Sequence, residues 1–87
     1  MEIADWRRQI DSLDEQITAL LNQRAECAVE IGKLKQTNAA PVYEPQREQR
    51  VFEHVAAVSA GPLTTAELTD IYQRIMDVMR NKQRPAK

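Results

Sequence analysis

Apolar residues recur early in the chain at Ile3, Trp6, Ile10, Leu13, Ile17 and Leu20, and again at Cys27, Ile31 and Leu34. This alternation of three- and four-residue steps predicts one long amphipathic helix over residues 3–35, with a seam that packs on other helices. The seam requires a further apolar residue at position 24, and the chain places Arg24 there. At the flanking heptad position stand Arg7, Asp14, Leu21, Ala28 and Lys35. Lys35 therefore lies three turns beyond Arg24 on nearly the same face. A buried cation without a partner is costly, so an anion is expected to meet Arg24. The helix begins at Asp5 as N-cap or a turn earlier near Glu2, and the pattern fits both. Gly32 interrupts the helix at a cost of about 1 kcal/mol relative to alanine. Either it admits the close approach of another group or it is merely tolerated.

The pattern ends after Lys35, and Thr37, Asn38 and Pro41 mark a loop. Glu44-Pro45 opens a second helix, since proline is favoured in a first turn. Its stripe is Val51, Phe52, Val55 and Val58, and one turn back Arg47 and Glu48 continue the inward face. Ser59, Ala60, Gly61 and Pro62 end it. Thr64 and Glu67 stand in capping-box spacing before a third helix, whose stripe is Leu68, Ile71, Tyr72, Ile75, Met76 and Met79. The next member of that stripe is Gln83, and the tail over residues 84–87 is expected to fray. The reading is all-α: a single helical domain, 1–87, with one long helix and two shorter ones. A helix over residues 6–35 is ~45 Å long, whereas a compact domain of this size has a radius of gyration of about 12 Å. Two short helices cannot cover such a rod, so the seam predicts a second copy of the chain, an intertwined homodimer.

Composition narrows the function. Twelve basic and thirteen acidic residues leave a net charge of -1, so no global field favours nucleic acid or a membrane surface. The chain lacks an apolar run of transmembrane length and a basic stretch followed by an apolar block at its start, which points to a soluble, cytoplasmic protein. The single cysteine, Cys27, falls on the seam and reads as a small buried hydrophobe. His54 is the only histidine and has no second ligand at metal spacing, so no metal site is expected.

Five polar residues remain on faces that the apolar period assigns to the interior: Arg24, Lys35, Arg47, Glu48 and Gln83. Each alone reads as an ion pair or a side chain reaching water. Together, three cations against one carboxylate suit a small dianion held by bidentate guanidinium contacts. The set contains no nucleophile or proton shuttle. It suits a rearrangement within one molecule, in which the protein stabilises developing charge.

The chain resembles the all-helical class of chorismate mutases along essentially its whole length. The resemblance rests on Ile10-Asp11-Ser12-Leu13-Asp14, Leu20-Leu21 with Arg24, and Ile31-Gly32-Lys33 with Lys35. It continues through Pro41-Val42, Arg47-Glu48 and Ile71-Tyr72 with Ile75-Met76 to Gln83. It implies an entwined homodimer of three-helix subunits that converts chorismate, a dicarboxylate, to prephenate without a cofactor. By position, it implies that Arg24 clamps one substrate carboxylate and that Arg7 of the other subunit clamps the second. Lys35 is then placed between a carboxylate and the ether oxygen, with Gln83 donating to that oxygen and Glu48 accepting from the ring hydroxyl. Arg47 is implied at the edge of the site, supporting Glu48 or a carboxylate.

Two positions depart from the family pattern. Glu44 stands where many members have aspartate, and Met79 where many have a serine that touches the ring carboxylate. Losing that hydroxyl removes one hydrogen bond, about 0.5–1.5 kcal/mol, and predicts weaker binding. A lyase on the same fold, removing pyruvate from isochorismate, also lacks the serine, but usually has apolar residues where this chain has Glu44 and Glu48. A non-catalytic helical dimerisation or regulatory module explains Arg24 as a register residue yet leaves Lys35, Glu48 and Gln83 unexplained. A partner enzyme of the same pathway is a further possibility that the resemblance raises.

Overall fold

All regular structure among the described residues is helical, in the order α1 (Ile3–Thr37), α2 (Pro45–Val58) and α3 (Thr65–Gln83). The computed structural model describes residues 1–85. The end of the tail expected to fray, Ala86 and Lys87, lies outside the described residues. None of the described helices is long and apolar enough to cross a membrane.

Local chemistry explains each boundary. The Glu2 backbone N–H donates to Asp5 Oδ2 at 2.9 Å, which makes Glu2, not Asp5, the N-cap of α1. At the other end, Ala40 N–H donates to the Lys35 carbonyl at 2.8 Å and Ala39 N–H to that of Gln36 at 3.3 Å. These two bonds form a Schellman motif, and its left-handed position is filled by Ala39, φ 54°, where glycine is usual. Pro45 occupies the first turn of α2. Ahead of α3, Thr64 Oγ1 accepts from Glu67 N–H at 3.1 Å while Thr64 N–H donates to Glu67 Oε1 at 2.9 Å, the expected capping box. These Thr64 bonds hold the Glu67 carboxyl below its ordinary value. Their contribution is complete above the unfolded-state glutamate pKa and is lost as pH falls through the lowered folded value.

The helix α3 packs against both α1 and α2, which do not pack on each other among the described residues. Because α1 is 35 residues long, about 52 Å at 1.5 Å per residue, it sets the longest dimension of a molecule measuring 54 × 26 × 17 Å. The radius of gyration, 15.9 Å, exceeds the value of about 12 Å for a compact domain of this length. Only the C-terminal half of α1 is covered. Ile3, Trp6, Ile10, Leu13, Ile17 and Leu20 are each more than half exposed.

The inward face of α1 differs from the apolar seam. Ala28 and Gly32 are buried against α3, with Leu21, Arg24, Ala25 and Lys35 half-buried around them. Leu34 and Cys27, both seam positions, are exposed, so Cys27 is not the buried hydrophobe its position suggests. The reason is steric: a row of small side chains lets the backbone of α3 approach, while the seam from Ile3 to Leu20 and Leu34 stays uncovered and Cys27 and Ile31 border the open cavity. The interior is correspondingly small, consisting of Ala28, Val51, Met76 and Met79.

The left-handed Ala39 supplies a test of this reading. An L-residue there costs about 1–2 kcal/mol, against the ~0.4–1 kcal/mol of extra unfolded-state freedom that glycine brings. Ala39→Gly is expected to raise stability by roughly 0.5–1 kcal/mol in urea titrations; a loss of stability shows that the turn is held otherwise.

Candidate active site

The C-terminal half of α1, the start of α2 and the end of α3 enclose a cavity of about 360 Å³, within the ~300–1,000 Å³ range of small-molecule sites. The segment joining α1 to α2 contributes Val42 and Glu44 to its wall. All the residues expected from the sequence line this cavity except Arg7: Arg24, Lys35, Glu44, Arg47, Glu48, Met79 and Gln83. Residues from three helices thus meet at one place because α3 brings its last turns between α1 and α2.

Lys35 is the most enclosed of the cavity cations with a carboxylate partner, with a side chain 11% exposed. Its ammonium donates to the Val42 carbonyl at 3.0 Å and to Gln83 Oε1 at 2.6 Å, and it pairs with Glu44 Oε1 at 2.6 Å. Two of these contacts are hydrogen bonds and the third is an ion pair. An ammonium can only donate, so the oxygen of the Gln83 amide must face it and Nε2 remains the free donor. Arg80 plays the corresponding role for Glu48. Its Nη2 lies 2.8 Å from both carboxylate oxygens and its Nε lies 3.1 Å from Oε2. The guanidinium also stacks over the Tyr43 ring at 4.8 Å and approaches Asp77 at 3.4 Å. The Glu48 hydrogen bond, opposed by burial and helped by the nearby Glu48 and Asp77 charges, raises Arg80 above its ordinary value.

The remaining cations are differently placed. Arg24 is half-buried, and the polar contact of its Nη2 is Met76 Sδ at 3.9 Å, while Arg47 is exposed at the rim. Among the described residues neither has a carboxylate partner. Four cations and two carboxylates line the cavity, Arg24, Lys35, Arg47 and Arg80 against Glu44 and Glu48. With Lys35 and Arg80 paired, the excess positive charge resides on Arg24 and Arg47. The arrangement can bind a dianion and offer it neutral and charged donors.

A family model described as chorismate mutase type II matches residues 6–84. The chain belongs to the chorismate mutase type II family. Among its relatives, the bifunctional chorismate mutase/prephenate dehydratase of Pseudomonas aeruginosa is 37% identical over 86 residues, covering 93% of this chain and 24% of that protein. The chain spans between a fifth and a quarter of the length of such relatives. A chorismate mutase of Helicobacter pylori, solved in complex with prephenate, superposes with a TM-score of 0.85 at 31% identity, covering 93% of this chain and 88% of that one. A chorismate mutase of Thermus thermophilus shares the fold at a TM-score of 0.91 and 24% identity, with 98% of each chain covered.

Within this family member, Arg7 stands apart. It lies 28 positions before Lys35 on the same helix, about 42 Å away along the axis, and is exposed. Arg47 does not support Glu48; Arg80 does. Glu44, at the position where many members have aspartate, pairs with Lys35. Met79 is both core and cavity wall, 5% exposed. Arg80 and Tyr43 were not singled out from the sequence. A signal for Arg80 existed, since Tyr72, Met76 and Arg80 stand four residues apart along the edge of the inward stripe.

Coupling between Arg80 and Glu48 is directly measurable. Both side chains are about one-fifth exposed, so Arg80→Met, which strands the Glu48 carboxylate, is expected to cost roughly 1–3 kcal/mol. Adding Glu48→Leu should recover at least about 1 kcal/mol of that loss in a double-mutant cycle read by urea unfolding. Additive losses mean that the two residues do not act as a pair. Because the Arg80 pKa is raised, this contribution is complete below its unfolded-state value and is lost only as pH rises through the folded one. The coupling is therefore constant from neutral into alkaline pH.

Proposed function

We propose that the chain catalyses the Claisen rearrangement of chorismate to prephenate, without a cofactor, as an entwined homodimer in the cytoplasm. The observation that carries this reading is the cavity's division of labour. Two cations without carboxylate partners, Arg24 and Arg47, share it with a Lys35–Gln83 donor pair and a fixed carboxylate at Glu48. Membership of the family and a relative solved with prephenate support the choice of substrate.

In this rearrangement the ether C–O bond breaks as a C–C bond forms, and all the electrons come from the substrate itself. Negative charge grows on the ether oxygen at the transition state. Lys35 and Gln83 Nε2 donate to that oxygen, and a preorganised donor there is worth roughly 3–4 kcal/mol. Lys35 releases one acceptor to do so, and Glu44 is the one suited to leave, because its side chain is 46% exposed and regains water. Arg24 clamps one carboxylate and Glu48 accepts from the ring hydroxyl. Holding both carboxylates selects the folded, reactive conformer.

The second carboxylate is assigned to Arg7 of another copy of the chain, with Arg47 at the rim. The uncovered seam over Ile3, Trp6, Ile10, Leu13, Ile17 and Leu20 supports this dimer. If two α1 seams cross antiparallel near residues 17–21, facing positions sum to a constant. Arg7 of one chain then falls beside the Arg24–Lys35 half of the other. Relatives that join chorismate mutase and prephenate dehydratase in one protein support a link between this chain and an enzyme that consumes prephenate.

The purified protein is expected to consume chorismate, followed by loss of its ultraviolet absorbance, and to yield prephenate. Pyruvate release from isochorismate without mutase activity selects the lyase, a reading with which Met79 is compatible and which Glu44 and Glu48 oppose. No turnover of either compound leaves a binding or regulatory module. Arg24→Ala and Lys35→Ala should each lower kcat/KM by about 100-fold or more, a far larger effect than on melting temperature, which Lys35→Ala lowers the more of the two because its contacts to Val42, Gln83 and Glu44 are lost.

The shared site has its own test. Arg7→Ala and Arg24→Ala homodimers, each nearly inactive, are mixed by co-refolding. Half the dimers are then mixed, each with one of two sites intact, so about a quarter of wild-type activity returns. No recovery, with heterodimers confirmed by native mass spectrometry, places both arginines within one chain.

A further inference from the structure

At Gly32 the backbone of α3 comes unusually close to that of α1. A Cβ built on Gly32 would lie 2.3 Å from the Gln83 carbonyl oxygen, 2.7 Å from its Cα and 2.8 Å from its carbonyl carbon. All three contacts are with backbone, so no side-chain rotation relieves them. Ordinary contact begins near 3.4 Å, so any side chain at position 32 drives the Gln83 main chain away by about 1 Å.

Gly32 stands one turn before Lys35 on α1, and the Lys35 ammonium holds Gln83 Oε1 at 2.6 Å. Gln83 is thus located twice from the same helix, through its backbone by the absence of a Cβ and through its amide by Lys35. It is also the last residue of α3, where the final turn can shift without disturbing the core at Met76 and Met79. Glycine inside a helix is less stable than alanine. Here it stands in the C-terminal part of α1 on a buried face, where the structure uses the missing methyl group.

We infer that Gly32 is a positioning residue, which sets the distance between the Lys35 and Gln83 donors by letting the end of α3 close onto α1. The inference rests on the proposed rearrangement for its consequence in turnover and on the observed contacts for its geometry. Gly32→Ala gains helix propensity but forces the backbone at the end of α3 to shift, and the shift spoils the donor pair. A reacting donor displaced by about 1 Å can cost on the order of 100-fold in rate.

The experiment measures Gly32→Ala and Gly32→Ser against wild type, with kcat expressed per folded chain from far-ultraviolet circular dichroism. Expected is a kcat lower by about 10- to 100-fold, with KM within about threefold, because the carboxylate contacts of Arg24 and Arg47 are untouched. In a Gln83→Ala background, Gly32→Ala is expected to cause no further loss of kcat. Wild-type kcat in Gly32→Ala, or an equal loss with and without Gln83, overturns the inference. The Gln83 side-chain amide resonances, observed by nuclear magnetic resonance in the same protein, should shift in Gly32→Ala. Unchanged resonances overturn the positioning role even in a protein that turns over no chorismate, whereas inactivity of the wild type alone refutes only the proposed rearrangement.

Discussion

One ammonium group ties the functional half of the molecule together. Lys35 reaches the Val42 carbonyl, the Gln83 amide oxygen and the Glu44 carboxylate from a single position on α1. It therefore fixes the segment that leads into α2 and the end of α3 with respect to the long helix. An enclosed cation demands partners, and these three supply them at the cavity wall. The same contact orients Gln83, since only its oxygen can face a donor. The cavity lies where the partners of this group converge, and the proposed chemistry would use the same ammonium.

Charge organises the rest of the site. Each cavity carboxylate has a cation assigned to it, Glu44 to Lys35 and Glu48 to Arg80. The two pairs are not equivalent. Arg80 grips both oxygens of Glu48 between the Tyr43 ring and Asp77, a rigid arrangement. Glu44 is half exposed and approaches Lys35 through one oxygen, an arrangement that can open. Arg24 and Arg47 are left with unneutralised charge facing a space of about 360 Å³. A cavity built this way attracts an anion before it discriminates its shape.

The family's helical architecture appears here with a very small interior. Among the described residues four side chains, Ala28, Val51, Met76 and Met79, make the hydrophobic core, while seven large residues of α1 stay more than half exposed. The most regular apolar pattern of the chain is thus left uncovered, the kind of face that marks an interaction surface. The proposed second copy supplies both the missing cover and the missing Arg7. Stability and catalysis then depend on the same contact between subunits.

The sequence by itself determined the helices and most of the site. Apolar spacing, Pro45, and the Thr64–Glu67 box set the three helices closely, because these are local properties of the chain. Inward periodicity also identified Arg24, Lys35, Glu48 and Gln83, because a polar residue on an apolar stripe conflicts with its surroundings. Only the tertiary structure decided how those faces meet. It turned the row of Ala28 and Gly32, not the bulky seam, toward α3, and so left Cys27 exposed. It paired Glu48 with Arg80 across 32 positions and Lys35 with Gln83 across 48, matches that periodicity within one helix cannot reveal. Gly32 shows the division most clearly: its spacing left close approach and mere tolerance equally open, and the backbone of Gln83, only 2.3 Å from where a Cβ would stand, resolved them. Periodicity reports which side of a helix is buried; the distance between two backbones depends on what the second helix brings to that side.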